Sequence, residues 1–510
     1  MTNFNERIVK NRNYLFLIFL LVFYFFLDFQ SILFLEPQGI HFMRQTDSLA
    51  FASNYFQNGF DFFHPQVFNL LSDGGHSACE FPILYYLSAI FYFIFGDNPA
   101  VLRGLTLLIS SIGFLYLFKM LYALLKDLVY GYVFTFLFIS STVLMYYVNN
   151  FLPDTCALGF TFIAWYFGFE FFKNKTNKKA LYKAYFFFTL AALLKVTFFI
   201  HPITFIVSLF VFDLHAKLKL KEIFVGNKKA LFYFFVSTAL VLSWNLYMIH
   251  YNEIYHVKNF LNEALPIWIL DEKEVLLTWD IMSNYWYSNY YYPTTFHLFF
   301  VLLIFGFIFI KKVDKLIFIP SIFLFIGSLS FFVLFYAQFK DHDYYFITLI
   351  PIIIFLITNA FISLKNRFPK ISSSIFTKLI LSLICVLSLV CVEKKLTERY
   401  HQKGDEFAQI GVILKDKKDL LSSLKIPQKA KFIVVTDLTP NGGLYFLKRA
   451  GWNIKDTSDL SVDEFHSYLK RGADYVLFTN KEHSKNKKFI TKEMDLILSE
   501  KEISVFKVKK

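Results

Sequence analysis

Apolar runs of about 17–25 residues, each bounded by lysine or arginine, recur along the first three quarters of the chain, and this is the length a helix needs to cross a hydrocarbon core. In lipid every backbone N–H and C=O must find its partner within the chain, so such runs fold as helices. Composition agrees. Of the 510 residues 56% are hydrophobic, and the 18% that are charged are too few to cover a soluble protein of this length. The formal charge of +13 does not point to nucleic acid, because the lysines gather in short loops between the runs, as the positive-inside bias requires.

That bias sets a topology. Basic loops at Lys119–Lys126, Lys173–Lys183, Lys217–Lys229, Lys311–Lys315 and Lys365–Lys378 are expected in the cytoplasm. Spans are then expected at Tyr14–Leu35 and roughly at 100–120, 128–148, 155–172, 184–199, 200–214, 230–249, 295–310, 316–336, 344–362 and 375–392, about eleven transmembrane helices in all. Tyr14–Leu35 follows the basic Arg7, Lys10 and Arg12, is too long for a signal-peptide core and lacks a small-x-small cleavage site. It reads as a retained anchor with a cytoplasmic amino end. Pro82–Phe95 is apolar but only about 14 residues long, and counting it as a span puts every later basic loop on the wrong side. It is expected to lie along the outer membrane surface, within one large external loop over 36–99.

Tyr185–Phe212 is interrupted by Lys195, His201 and Pro202 and carries basic loops at both ends, so it must cross twice as a hairpin with Lys195 near the outer turn. A lysine at mid-bilayer costs about 2.5–3.5 kcal/mol on insertion scales, which favours that placement. A snorkelling lysine without a chemical role is the bland alternative. The four cysteines, Cys79, Cys156, Cys385 and Cys391, make no disulfide framework.

Composition turns charged after residue 392. Lys431–Asp437 reads as a buried strand, Gly442-Gly443 as the start of a helix to about Ala450, Ser461-Val-Asp-Glu464 as a capping box opening a helix that ends at Gly472, and Asp474–Thr479 as a second strand. The expected fold class is a polytopic α-helical membrane protein, with about eleven transmembrane helices and external juxtamembrane helices, plus a small C-terminal α/β soluble domain. The boundaries are 1–392 for the membrane domain and 393–510 for an extracytoplasmic domain. No phosphate-cradling glycine fingerprint is present there.

The unusual polar residues crowd the external segments: His41, Arg44, Asp47, Asp73, His76 and Glu80 in the first loop, Asn149, Asn150 and Asp154 in the second, and Lys340, Asp341, His342, Asp343, Tyr344 and Tyr345 in a later one. A carboxylate with a guanidinium and a lysine nearby suits transfer from a phosphate-linked donor, the base taking a proton from an acceptor hydroxyl while fixed cations stabilise the departing phosphate. A local Arg44–Asp47 ion pair that merely folds the loop, worth about 0–1 kcal/mol, is the alternative. Trp279–Tyr292, with Trp286 and tyrosines from Tyr285 onwards, reads either as the lining of a sugar or lipid groove or as an interfacial aromatic belt.

The motifs Arg44-Gln-Thr-Asp47, Glu80-Phe-Pro82-Ile-Leu-Tyr-Tyr86, Leu152-Pro-Asp154, Leu190-Ala-Ala-Leu-Leu-Lys195 and His342-Asp-Tyr-Tyr345 follow one another in an order that resembles the GT-C superfamily of integral-membrane glycosyltransferases. Within it they are most similar to the branch of protein O-mannosyltransferases and the lipid A aminoarabinose transferase. The resemblance covers about residues 1–360. It implies that Asp47 is the general base, that Glu80 shapes the catalytic site, and that Lys195 binds the donor phosphate with Arg44 or Arg103. It implies a polyprenyl-phosphate-linked sugar as donor, inversion at the anomeric carbon, and a lipid, glycan or protein hydroxyl as acceptor, at the external face of the cytoplasmic membrane. His41, Asp154, His342, Tyr344 and Tyr345 are the expected substrate-binding residues. The family often has Glu-Lys-Pro where this chain has Glu80-Phe81-Pro82, so a phosphate contact there has to come from elsewhere. Asp47 and Glu80 give no ligand-spacing signal, so no obligatory metal is expected and a divalent cation stays open. A multi-span lipid or glycan transporter or flippase is the rival reading, and would show paired halves with matching broken helices, which this chain does not clearly show.

Overall fold

The computed structural model describes residues 9–258, 260, 264–400, 405–417, 420, 423–480, 488–500 and 502–509, so the expected basic residue Arg7 lies outside the described residues. Among them seven helices are long and apolar enough to cross a membrane: Pro99–Leu125, Asp154–Lys173, Val196–His215, Lys228–Ile254, Lys315–Leu334, Asp343–Arg367 and Ile375–Tyr400. Two bent pairs pass the same test together, Leu128–Ile139 with Thr142–Val148 (83°) and Glu272–Tyr290 with Pro293–Ile308 (97°). The first bend falls at Ser140-Ser141, where the Ser140 hydroxyl donates back to the Leu137 carbonyl and the Ser141 hydroxyl caps the second helix at Leu144 N. The second falls before Pro293, which opens the next helix.

Seven spans, or nine with each bent pair as one, fall short of the expected eleven. Length accounts for the difference. The Tyr14–Leu35 anchor is helical over Arg12–Phe26, 15 residues, and breaks near Asp28, whose φ of 55° is left-handed. The first arm of the Lys195 hairpin, Lys178–Leu194, has 17 residues.

The chain divides into two compact units. The first holds Met1–Ile32, Thr106–Asn245 and Glu263–Thr397. Its Asp154–Lys173 and Asp343–Arg367 helices bury 72% and 78% of their apolar windows, against 22–50% for the other five spans, so they form the interior. Pro99–Leu125 crosses Asp154–Lys173 at Gly113 and Gly159, and a Cβ on Gly113 would stand 2.3 Å from the Gly159 Cα. Small residues at such a crossing let the backbones approach, which is how helices associate where lipid offers no hydrophobic drive.

The second unit holds Leu33–Leu105, Leu246–Asn262 and Glu398–Lys510. Here Phe42–Asn58 packs on Ile83–Phe95, the helix expected along the membrane surface. Ile83–Phe95 buries Leu84, Tyr85, Ser88, Ala89 and Tyr92 and leaves Ile90, Phe93 and Ile94 exposed, a two-faced pattern at helical spacing. The tail forms a five-stranded sheet in the order β2-β1-β3-β5-β4, with β1 Phe432–Val435, β2 Gly451–Ile454, β3 Tyr475–Phe478, β4 Met494–Ser499 and β5 Ser504–Val508. β1 runs parallel to β2 and β3, and β5 antiparallel to β3 and β4. The two expected strands are β1 and β3, and the expected capping box opens Val462–Lys470.

The helix expected to reach Ala450 stops at Leu447, because Lys448 turns left-handed (φ 52°) to enter β2. Gly451 starts β2 against the Phe432 carbonyl, which a Cβ would meet at 1.9 Å. The external loop joins this edge: Leu70 N donates to Gly451 O at 2.7 Å and Gly451 N to Phe68 O at 3.0 Å. Loop and tail thus share one ladder of backbone hydrogen bonds.

Gly113→Val is expected to force Pro99–Leu125 and Asp154–Lys173 apart and to cost on the order of 1–3 kcal/mol. A lowered thermal midpoint of the detergent-solubilised protein is the measurement, and an unchanged midpoint would mean the close crossing is dispensable.

Candidate active site

Asp47 sits on Phe42–Asn58, which opens at His41 in the left-handed conformation (φ 58°). Gln45, inside the Arg44–Asp47 motif, fixes that entry by donating to Gln38 O at 2.8 Å and Ile40 O at 2.9 Å. Arg44 Nη2 donates to both carboxylate oxygens of Glu80 at 3.1 Å, and the Tyr85 hydroxyl donates to Glu80 Oε1. So the guanidinium pairs with Glu80 through Nη2 and still acts on Asp47 through its charge.

The Asp47 side chain is 5% exposed. Burial pushes its carboxyl up to about 6, Arg44 and an amide from Asn441 pull it back, and Glu80 adds a smaller upward push. Asn441 Nδ2 donates to Asp47 Oδ1 at 2.8 Å. This partner comes from the tail, 394 residues away, and no motif announced it.

Asn441 is held on both sides. The Asn69 backbone N–H donates to its Oδ1 at 3.0 Å, and the Asn69 side chain donates to Pro440 O at 2.5 Å. Beneath it Asp437 organises the turn, accepting from Thr439 N and Oγ1, Gly443 N and Asn453 Nδ2 at 2.6–2.9 Å. Burial raises the Asp437 carboxyl to about 6 as well. Gly442 has no room for a Cβ, which would meet Thr439 Oγ1 at 2.4 Å and the Phe42 ring at 2.8 Å, and Gly411 meets the same ring at 2.6 Å. Phe42, fully buried, is clamped between these glycines and docks the start of the Asp47 helix on the tail.

In the first unit, Lys195 ends Lys178–Leu194 with extended backbone angles and leads into the turn Val196–Phe199. Its Nζ lies 3.0 Å from Asp154 Oδ1 and about 5 Å from the ring centroids of Tyr344 and Tyr345 (5.0 and 5.1 Å). Asp154 is in the first turn of its helix, where a carboxylate is favoured by the dipole. His342 stacks on Tyr344 and Tyr345 at 5.3 and 5.7 Å, and the Tyr147 hydroxyl donates to Asp343 Oδ1 at 2.7 Å. Four expected residues, Asp154, His342, Tyr344 and Tyr345, therefore gather around or beside Lys195.

The family described as dolichyl-phosphate-mannose-protein mannosyltransferase matches residues 76–244. Two structures of ArnT from Cupriavidus metallidurans match almost end to end. The apo form gives a TM-score of 0.56 at 11% identity over 98% of each chain, and the form bound to undecaprenyl phosphate gives 0.57 at 10% identity over 96% of this chain and 97% of that one. The oligosaccharyltransferase AglB from Archaeoglobus fulgidus, in complex with an inhibitory peptide and a dolichol-phosphate, gives 0.50 at 12% identity over 94% of this chain and 71% of that one. The fold is that of ArnT. No curated protein matches the chain by sequence.

Other expected residues fall differently. Arg103 is fully buried and donates to the Leu35 carbonyl. His41 is half-buried at the helix entry. His76 bonds the Tyr251 hydroxyl at 2.6 Å and stacks on Tyr255, and His201 accepts from the Trp165 indole at 3.1 Å in the core, so both are structural. In the aromatic segment Trp286 donates to Lys340 O and Tyr291 to Phe138 O, while Trp279 and Tyr285 are exposed. All four cysteines are free thiols. Among the described residues no group of three or more His, Cys, Asp or Glu side chains is arranged to hold a metal ion, and no step is derived through one.

Asp154→Ala is expected to strand the Lys195 ammonium and cost about 3 kcal/mol, whereas Asp154→Leu combined with Lys195→Met recovers most of that loss. Thermal unfolding of the three proteins measures this. A double variant no more stable than the single one would show that the pair is not coupled.

Proposed function

We propose that the protein is an inverting glycosyltransferase that moves a sugar from a polyprenyl-phosphate carrier to a hydroxyl on a lipid, glycan or protein, at the external face of the cytoplasmic membrane. The observation that carries this reading is Asp47, a buried carboxyl raised to about 6 beside an Arg44–Glu80 pair, on a chain with the GT-C fold. A base poised just below neutral pH is mostly ionised in its working range yet basic enough to accept a proton.

Asp47 takes the proton of the acceptor hydroxyl as its oxygen forms a bond to the anomeric carbon. The bond from that carbon to the phosphate oxygen breaks on the opposite face, and the carrier phosphate leaves with the electron pair. Lys195, oriented by Asp154 and the two tyrosines, neutralises the departing phosphate. Arg44 holds Glu80 and tempers the field at Asp47, and Glu80 shapes the site without exchanging protons. Arg103, fully buried and donating from Nη1 to the Leu35 carbonyl, we assign to anchoring the chain after the first apolar segment. His41, His342, Tyr344 and Tyr345 we assign to the walls that receive substrate. The positive-inside pattern supports a cytoplasmic amino end and an extracytoplasmic tail.

Reconstituted protein incubated with a panel of undecaprenyl-phosphate sugars is expected to release undecaprenyl phosphate, and Asp47→Asn to lower kcat on the order of 10²–10⁴-fold. Wild-type turnover retained in Asp47→Asn would refute the base. Because Asp47 works deprotonated and its folded value is raised, activity is expected to fall as pH drops through about 6. Lys195→Ala is expected to raise the donor KM more than the acceptor KM. Equal losses would assign the lysine to the fold.

A further inference from the structure

The tail is usually read as an appended domain, yet its Asn441 reaches the very carboxylate proposed as base. We propose that Asn441 is a positioning residue for Asp47, so that the C-terminal domain completes the base. The proposal rests on the reading of Asp47 given above and deepens it.

Three observations carry it. First, the pair is short and dry: Asn441 Nδ2 stands 2.8 Å from Asp47 Oδ1, with Asn441 fully buried and Asp47 5% exposed. Second, the amide orientation is chemically fixed. A backbone N–H can only donate, so the Asn69 N–H claims Oδ1 of Asn441 and turns its NH₂ towards Asp47. Third, Asn441 has little freedom to move, because Asp437 gathers four hydrogen bonds from the turn, Pro440 is tied to Asn69, and Gly442 lies against Phe42 of the Asp47 helix. An amide so placed holds Oδ1, sets the plane of the carboxylate and directs Oδ2 to the acceptor proton. The charged and titratable groups facing Asp47 are Arg44, Glu80 and Cys79. Asn441 adds a neutral donor that favours the ionised base without drawing in another charge.

The test uses the full-length protein in lipid nanodiscs. Infrared difference spectra, wild type minus Asp47→Asn, report the protonated Asp47 carboxyl across pH, and they need no substrate. Asn441→Ala is expected to raise the Asp47 midpoint by about one pH unit, since a hydrogen bond to the ionised form is lost. Asn441→Asp keeps the shape and the acceptor for Asn69 N–H but removes the donor and adds a like charge, so it raises the midpoint further and remains informative where the alanine variant fails to fold. With the undecaprenyl-phosphate sugar that the wild type consumes, the acidic limb of kcat/KM should move up in step with the midpoint. A midpoint unmoved in folded Asn441→Asp overturns the proposal, as does a moved midpoint with an unmoved acidic limb. Full turnover in Asp47→Asn overturns the base itself, a result distinct from either.

Discussion

Burying the Asp47 carboxylate costs free energy that only its immediate neighbours offset, and much of the second unit is arranged around that balance. Desolvation raises the proton affinity of the group, while Arg44 and the Asn441 amide lower it. Arg44 shares its charge with Glu80, whose two oxygens its Nη2 bonds. The remaining stabilisation arrives through a turn of the C-terminal domain, and this explains why that turn is so heavily tied. Asp437 is itself buried and costly, and it is tolerated because four donors converge on it. Glycines at 411 and 442 let the Phe42 ring in, and with it the start of the helix that carries the base.

Each unit holds a polar cluster of its own character. The second holds the Asp47 carboxyl beside an amide and a guanidinium. The first holds the Lys195 ammonium between a carboxylate and two aromatic rings, which aim it at little conformational cost. The position where relatives often carry a second lysine, between Glu80 and Pro82, is Phe81, which packs edge-on against Phe62 at 5.2 Å. An aromatic there adds ring packing within the 36–99 loop. The two most buried spans begin with Asp154 and with Asp343-Tyr344-Tyr345, so rigid interior helices aim the residues that face Lys195.

Much of this was legible in the chain. Hydropathy and charge located the seven long apolar helices, and where the count differed the cause was local: a left-handed Asp28 shortening the first helix, and a hairpin arm of 17 residues. The capping box at Ser461–Glu464 and the strands β1 and β3 carry strong local signals and appear where expected. Strands β2, β4 and β5 were missed. β2 follows a helix stopped by a left-handed lysine, which no propensity predicts, and β4 is largely exposed. Lys195 with Asp154 was recoverable because both interrupt apolar runs, where a charge is expensive enough to demand a reason.

By itself the sequence determined that the chain is built of many apolar segments long enough to cross a membrane, and it singled out Arg44, Asp47, Glu80 and Lys195 as candidate reactive groups. Those conclusions follow from the cost of exposing backbone and charge to lipid, which leaves a periodic trace in the residues. Only the tertiary structure decided that Arg44 serves Glu80, that Arg103 is sealed in the interior, and that Asn441 supplies the partner of Asp47. Side-chain hydrogen bonds between distant segments have no period and no spacing, so they come into existence only when folding brings their atoms within reach.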